Sequence, residues 1–338
     1  MTWWGYIVAG IAVLAAAGIA YQLVGSARDR RRWPPPGRMV AVNRHRLHAI
    51  AAGEGKPTVV FEAALGASSI SWALVQPEIA KITGTFAYDR AGMGFSEAGP
   101  EPRTAQRIAD ELHALLEAAE VPKPYVLVGH SYGGLTCRLF AAQHPEEVGG
   151  MVVLDPAVAE GWMRPTAEQR RKLWAGAMLA RRGAMVAHLG IARLTAALAR
   201  RGARRSARFA AAAVSGGILA GRSERIIAPM ERVPSELRPM LAAIWTQARF
   251  YRSLASQIES MPESAAQVAT TSLRPYLPLI VMSASSLPDE EVEAHRRLAA
   301  QTVNGRHVVV EDSGHWIQLD QPDAVIRAIA DVVREARG

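Results

Sequence analysis

Hydrophobic positions along this chain follow three patterns in turn. From Trp3 to Val24 no charged side chain interrupts an apolar stretch. From about Met39 to Leu154 short apolar runs alternate with segments of helical periodicity, and from about Ala157 to Arg274 only helical spacing remains. In the alternating region, Met39 to Val42 and Arg46 to Ala51 read as a hairpin about Asn43-Arg44, and Thr58 to Phe61 as a buried strand. Trp72 to Ile82 reads as a helix and Thr85 to Tyr88 as a strand. Thr104 opens a helix whose Ile108, Leu112, Leu115 and Leu116 share one face. Tyr125 to Val128 and Met151 to Leu154 read as strands flanking a helix from Leu135 to Ala142. The alternation resumes with a strand at Leu277 to Met282, a helix at Asp289 to Gln301, a strand at His307 to Val310 and a helix at Pro322 to Arg337. Alternation of this kind calls for a mostly parallel sheet of eight strands with helices on both faces. The expected organisation is an anchor over 1–26, a basic, proline-rich spacer over 27–37, a core over 38–156, a helical cap over 157–275, and the rest of the core over 276–338.

At about 1.5 Å per residue, Trp3 to Val24 is long enough as a helix to cross a bilayer. Trp3, Trp4 and Tyr6 at one end and Tyr21 at the other suit an interfacial aromatic belt, and Arg28, Arg30, Arg31 and Arg32 come directly after. A cleaved signal peptide is the competing reading, with small residues at Ala15 to Ala17 and Ala20. It would carry its positive charge before the apolar core, whereas here the charge comes after. An uncleaved anchor in the cell membrane is therefore favoured, with the Arg-rich side, and hence the domain that follows it, facing the cytoplasm. Arg32-Trp-Pro-Pro-Pro-Gly37 would act as a stiff spacer holding the domain off the membrane.

Of 338 residues, 49% are hydrophobic and 21% charged, with a formal net charge of +8. The composition is that of a globular protein. Most of the excess positive charge lies in the cap, at Arg170, Arg171, Lys172, Arg181, Arg182, Arg200, Arg201, Arg204, Arg205 and Arg208. There it alternates with apolar residues such as Leu173, Trp174, Leu194 and Leu198. Basic amphipathic helices of this kind can lie on an anionic membrane surface, although a plain solvated face has the same composition. No nucleic-acid-binding motif accompanies the charge, so nucleic acid is not the expected partner. The single cysteine, Cys137, excludes an internal disulfide and reads as a packing residue. No spacing of Cys and His resembles a metal site, and no cofactor is called for.

The chemistry is concentrated in Gly129-His-Ser-Tyr-Gly133, directly after an apolar strand and before a helix. A sharp strand-to-helix turn leaves no room for side chains beside its apex, which explains the glycines and exposes Ser131 as a nucleophile. A serine hydroxyl needs a base to take its proton, and His315 in Asp312-Ser-Gly-His-Trp316 is the candidate, since its loop comes after the last strand. The other histidines lie on a hairpin, on helices or at a strand start, and His130 reads as a neighbour of the elbow. An acid must orient the imidazole. Asp155, at the end of the strand after the nucleophile helix, is favoured over Asp289, which lies beyond the next strand. Oxyanion donors are expected from the backbone N–H of Tyr132 and from the loop Glu62 to Gly66, at Leu65 or alternatively Ala64.

These residues give the chain a clear resemblance to the α/β-hydrolase superfamily, in the branch of bacterial lipase- and esterase-like serine hydrolases with a helical cap. It spans roughly Met39 to Arg337 and rests on Gly129 to Gly134, on Asp89-Arg-Ala-Gly-Met-Gly-Phe-Ser96 and on Gly314-His315. The resemblance implies the α/β-hydrolase fold and cleavage of a carboxylic ester, amphiphilic or lipid-like in view of the anchor, through an acyl-enzyme. Two departures stand out. Relatives often carry His-Gly where this chain has Ala63-Ala64, and they usually place the acid after the penultimate strand, where this chain has Ser285-Ser286-Leu287. A perhydrolase or lyase on the same triad, or a binding protein that has lost the chemistry, is the alternative.

Overall fold

The computed structural model describes residues 3–200 and 232–338. Eight strands form one sheet in the order β1-β2-β4-β3-β5-β6-β7-β8. They are β1 (Arg38–Val42), β2 (His45–Ala52), β3 (Thr58–Glu62), β4 (Thr85–Tyr88), β5 (Tyr125–His130), β6 (Val148–Leu154), β7 (Leu279–Ala284) and β8 (Gly305–Val310). β2 runs antiparallel to β1 and β4, and all other pairs are parallel. The expected mostly parallel, eight-stranded α/β sheet is thus present.

The central strands are apolar throughout because each faces helices on both sides. Tyr125 and Leu127 of β5, Met151 and Val153 of β6, and Leu279 and Val281 of β7 point into one core. That core is closed by helices α3 (Ala105–Ala118) and α4 (Tyr132–Gln143). The alternate residues Val126 and Val128, Val152 and Leu154, Ile280 and Met282 point into the other, against the final helix Pro322–Glu335. This is the two-residue side-chain period of a strand read on three neighbours at once. Thr104 caps α3 by accepting from the Arg107 amide, as its position before the apolar stripe implied.

The region expected as one helix from Trp72 to Ile82 is instead a 3₁₀ turn at Ser69–Trp72 and a single helical turn, α2 (Gln76–Ile79). Trp72, Val75 and Ile79 are all fully buried, which reproduces helical spacing without a continuous helix.

Between β6 and β7 lie α5 (Glu160–Met163), α6 (Ala167–His188), α7 (Ile191–Arg200), α8 (Arg238–Ile244), α9 (Ala248–Glu259) and α10 (Met261–Ala269). No strand occurs there among the described residues. α10 is not part of an outlying layer: Met261, Ala265 and Val268 join the main core beside α3 and α4. The basic residues Arg201, Arg204, Arg205 and Arg208 lie outside the described residues, while Arg170, Arg171, Lys172, Arg181 and Arg182 are exposed along α6.

The N-terminal helix α1 runs from Trp3 to Arg32, so the segment expected as a spacer from residue 27 is helical for half its length. It is the one helix among the described residues long and apolar enough to cross a membrane. The proline-rich stretch between α1 and β1 is pinned rather than free, since the Pro36 carbonyl accepts a hydrogen bond from the His48 ring. After β7 comes α11 (Asp289–Ala299), and after β8 the short α12 (Ile317–Asp320) and then α13 (Pro322–Glu335).

Candidate active site

β5 ends at His130, and the chain reverses at Ser131 with φ 53° and ψ −116° before α4 begins at Tyr132. A non-glycine residue in this region is strained by roughly 1–3 kcal/mol and is held there only by its surroundings. Here the Ser131 amide donates to the Leu154 carbonyl at 2.9 Å, and the Ser131 carbonyl accepts from Gly134 and Ala157 at 3.0 and 3.1 Å. The flanking glycines are steric necessities. A Cβ on Gly129 would lie 2.8 Å from the Gly133 carbonyl oxygen, and one on Gly133 would lie 2.5 Å from that of Glu62. The elbow predicted from sequence is therefore an observed backbone feature, with Ser131 at its apex.

His315 and Asp155 meet, although 160 residues apart in sequence. The Nδ1 of His315 lies 2.6 Å from Oδ2 of Asp155. The carboxylate is buried and the imidazole partly exposed, with side-chain exposures of 4% and 42%. Asp155 has φ 42°, its amide donates to Met282 at 2.7 Å, and its Oδ1 faces the Ala284 amide at 3.4 Å. Both the end of β6 and the end of β7 thus hold this acid in place. Asp289, the competing acid, is an exposed residue that opens α11.

His130 reaches His315 by a different route. Its Nε2 lies 2.7 Å from the His315 carbonyl oxygen, and its Nδ1 lies 3.0 Å from Nε2 of Gln318. A carbonyl can only accept, and an amide N–H₂ only donates, so His130 is a neutral ring protonated on Nε2. Burial and the nearby His315 push its pKa well below the usual imidazole range, in keeping with that state.

Tyr132 is the first residue of α4, so its backbone N–H has no partner within the helix. Leu65 is half-buried in the turn after β3, where the Ala67 amide donates to the Ala64 carbonyl at 3.1 Å and Gly66 has φ 70°. Sequence reasoning missed what supports this turn. Arg90, fully buried, donates to the carbonyls of Ala63 and Ala64, pairs with Glu62, and reaches Oε1 of Gln257 on α9 at 3.1 Å. Its guanidinium also lies 5.1 Å from the ring centroid of Tyr132. The only available signal was that Arg90 is the next residue after Asp89 in the Asp89 to Ser96 motif. An arginine side chain thus occupies the carbonyls of both Ala63 and Ala64.

The remaining polar residues of that motif are structural. Asp89 accepts from the amides of Ser69 and Phe95 and from Nδ1 of His48. Cys137 is buried behind the elbow, and burial pushes its thiol pKa well up, which leaves it inert packing. His113, His144 and Glu147 come together with donor atoms within 4.8 Å of one another, a cluster that no sequence spacing announces. The two rings stack in parallel at 3.9 Å, so their lone pairs do not converge, and Lys123 already holds Glu147 at 2.6 Å. His144 caps the C-terminal end of α4, roughly 20 Å along the helix from Ser131 at about 1.5 Å per residue.

The eight-stranded, mostly parallel sheet with a sharp elbow after β5 defines the class of protein. Residues 57–322 match the family model described as alpha/beta hydrolase fold, and the chain belongs to that family. It is 43% identical over 108 residues to the uncharacterized protein YqjL of Bacillus subtilis; the match covers 32% of this chain and 43% of that relative's length. Its fold is similar to that of a thermophilic esterase from Thermogutta terrifontis, with TM-score 0.62 and 18% identity over 89% of this chain and 99% of that one. An enol-lactonase from Burkholderia xenovorans is likewise similar, with TM-score 0.57 and 20% identity over 88% of this chain and the whole of the other.

Proposed function

We propose that this protein is a serine hydrolase that cleaves carboxylic esters through an acyl-enzyme, with Ser131 as nucleophile, His315 as general base and acid, and Asp155 as the residue that orients it. The observation that carries the reading is the 2.6 Å contact between His315 Nδ1 and a buried Asp155 carboxylate, at the strand end beside the strained serine. With Nδ1–H donated to Asp155, the lone pair is left on Nε2, which takes the Ser131 proton as Oγ attacks the ester carbonyl. The backbone N–H groups of Tyr132 and Leu65 stabilise the oxyanion that forms. Collapse of the tetrahedral adduct breaks the bond to the alcohol, which leaves with the proton from His315. Water, deprotonated in turn by His315, then releases the acid and regenerates Ser131. No cofactor enters these steps.

The fold family supports a hydrolase, and the ester and its amphiphilic character are part of the proposal. In this reading α1 anchors the protein in a membrane, and Arg28, Arg30, Arg31 and Arg32 place the catalytic domain on the cytoplasmic side. The test is labelling by a fluorophosphonate probe, which reacts only with activated serines. The detergent-solubilised protein is expected to label and its Ser131→Ala variant to remain unlabelled. A folded wild-type protein that does not label would count against an assembled triad and favour a binding role.

A further inference from the structure

One face of α1 carries small and polar residues in place of apolar ones. Gly18, Gln22, Gly25, Ser26 and Asp29 recur at helical spacing, and this stripe is packed against the helices inserted between β6 and β7. Gln22 and Ser26 are buried. Arg193 of α7 binds the stripe through Nε to Gln22 at 3.0 Å and through Nη1 to Asp29 at 2.6 Å. Its Nη2 reaches Ser26 at 3.3 Å and Thr246 at 3.0 Å. Gln22 donates in turn to the Thr246 carbonyl at 2.9 Å. The backbones touch: a Cβ on Gly18 would fall 2.3 Å from the Leu189 carbonyl oxygen, and one on Gly25 would fall 2.4 Å from the Arg193 side chain. Gly190, with φ 72°, approaches the Gly18 carbonyl equally closely.

The depth of this contact decides what surrounds it. From Trp3 to Gly18 a helix rises about 23 Å at about 1.5 Å per residue, whereas the hydrocarbon core of a bilayer is about 30 Å thick. With the Trp3-Trp4 pair marking one interface, a bilayer crossed by α1 extends past Gly18, to the level of the α6–α7 corner. On the side of α1 away from the insertion, Leu23 and Val24 are 64% and 51% exposed, so the apolar surface continues at least that far. The corner itself exposes Met185, Ile191 and Leu194.

We infer that the α6–α7 corner is a second membrane-embedded element, clamped to the anchor by Arg193 and contacting lipid through Met185, Ile191 and Leu194. The inference rests on α1 crossing the bilayer. It makes the insertion above the active site part of the membrane-bound body rather than a cover held off by a spacer.

Depth measurement on the full chain in phosphatidylcholine–phosphatidylglycerol vesicles tests it. An environment-sensitive thiol fluorophore is attached in three separate variants, with the buried Cys137 left in place: Leu194→Cys on the corner, Leu14→Cys on α1, and Val303→Cys in the loop before β8. The Leu14 and Leu194 labels are expected to be quenched by doxyl-bearing lipids and protected from iodide, and the Val303 label to show the reverse. A lipid-quenched Leu14 label with an iodide-quenched Leu194 label would overturn the embedded corner while leaving the anchor in place. Iodide quenching at both positions would remove the anchor and the corner together.

Discussion

The ring of His130 holds the backbone of His315, with Nε2 donating to the carbonyl at 2.7 Å, and the two rings lie with centroids 4.8 Å apart. The residue before the elbow serine thereby fixes the loop that presents the histidine, and Gln318 fixes His130 in turn.

Replacing His130 with alanine removes that link and leaves the Gln318 amide without its acceptor. Losing such a bond and stranding a buried donor costs about 1–3 kcal/mol. A denaturant titration is expected to show a loss of this size for His130→Ala, accompanied, if His315 is the base proposed above, by a fall in kcat with KM little changed, because the loop that carries His315 loses its tie to the end of β5.

The two candidate acids separate cleanly. Asp155→Asn keeps the shape of the carboxylate but presents an amide to the imidazole and favours the wrong tautomer, an effect of about 10⁴ in kcat in serine hydrolases. Asp289→Asn changes an exposed side chain at a helix start and is expected to leave kcat within about twofold. Steady-state hydrolysis of a chromogenic ester distinguishes the two.

Arg90 is expected to matter for both stability and rate. Arg90→Met leaves Glu62 as an unpaired buried charge, a loss of about 3–5 kcal/mol. The double variant Glu62→Gln with Arg90→Met removes the stranded charge and should recover much of that stability, read from the denaturation midpoint. Its kcat should stay low, because the carbonyls of Ala63 and Ala64 still lack the group that sets the Leu65 turn. Recovery of both stability and rate would show that the arginine serves folding alone.

His48 predicts a pH dependence of stability. Both ring nitrogens face acceptors, Asp89 Oδ2 at 2.8 Å and the Pro36 carbonyl, so both carry protons and the ring is cationic. Burial alone would lower its pKa, but the Asp89 carboxylate and the Pro36 carbonyl outweigh that and hold it above the ordinary imidazole value. A raised folded-state pKa contributes stability that is complete below the unfolded value of about 6.5 and is lost as pH rises through the folded value. The melting temperature is expected to fall over that upper range in the wild type and to fall less in His48→Gln.

The alternating pattern disclosed the sheet because each central strand carries its own periodicity. The elbow was legible because glycines at 129 and 133 are forced by atoms within a few residues or on the next strand. Trp72 to Ile82 misled because buried spacing every three or four residues is shared by a helix and by a chain of tight turns. The support from Arg90 was hidden for another reason. Its partners, Glu62, Ala63, Ala64 and Gln257, lie on a neighbouring strand, the adjoining turn and an inserted helix, and nothing local marks an arginine as fully buried. The docked face of α1 was masked likewise, since Gln22 and Ser26 look like ordinary interruptions of an apolar run until Arg193 is placed against them.

Ser131 and Asp155 each come directly after residues that are paired across one ladder, His130 of β5 opposite Leu154 of β6. The separation of the two is thus set by the pitch of a single pair of strands and is insensitive to loop length. The turn at Ser285–Pro288, where many relatives place the acid, carries no such constraint here. Residues inserted into that turn would lengthen the rim of the site without changing the distance between the serine and the aspartate.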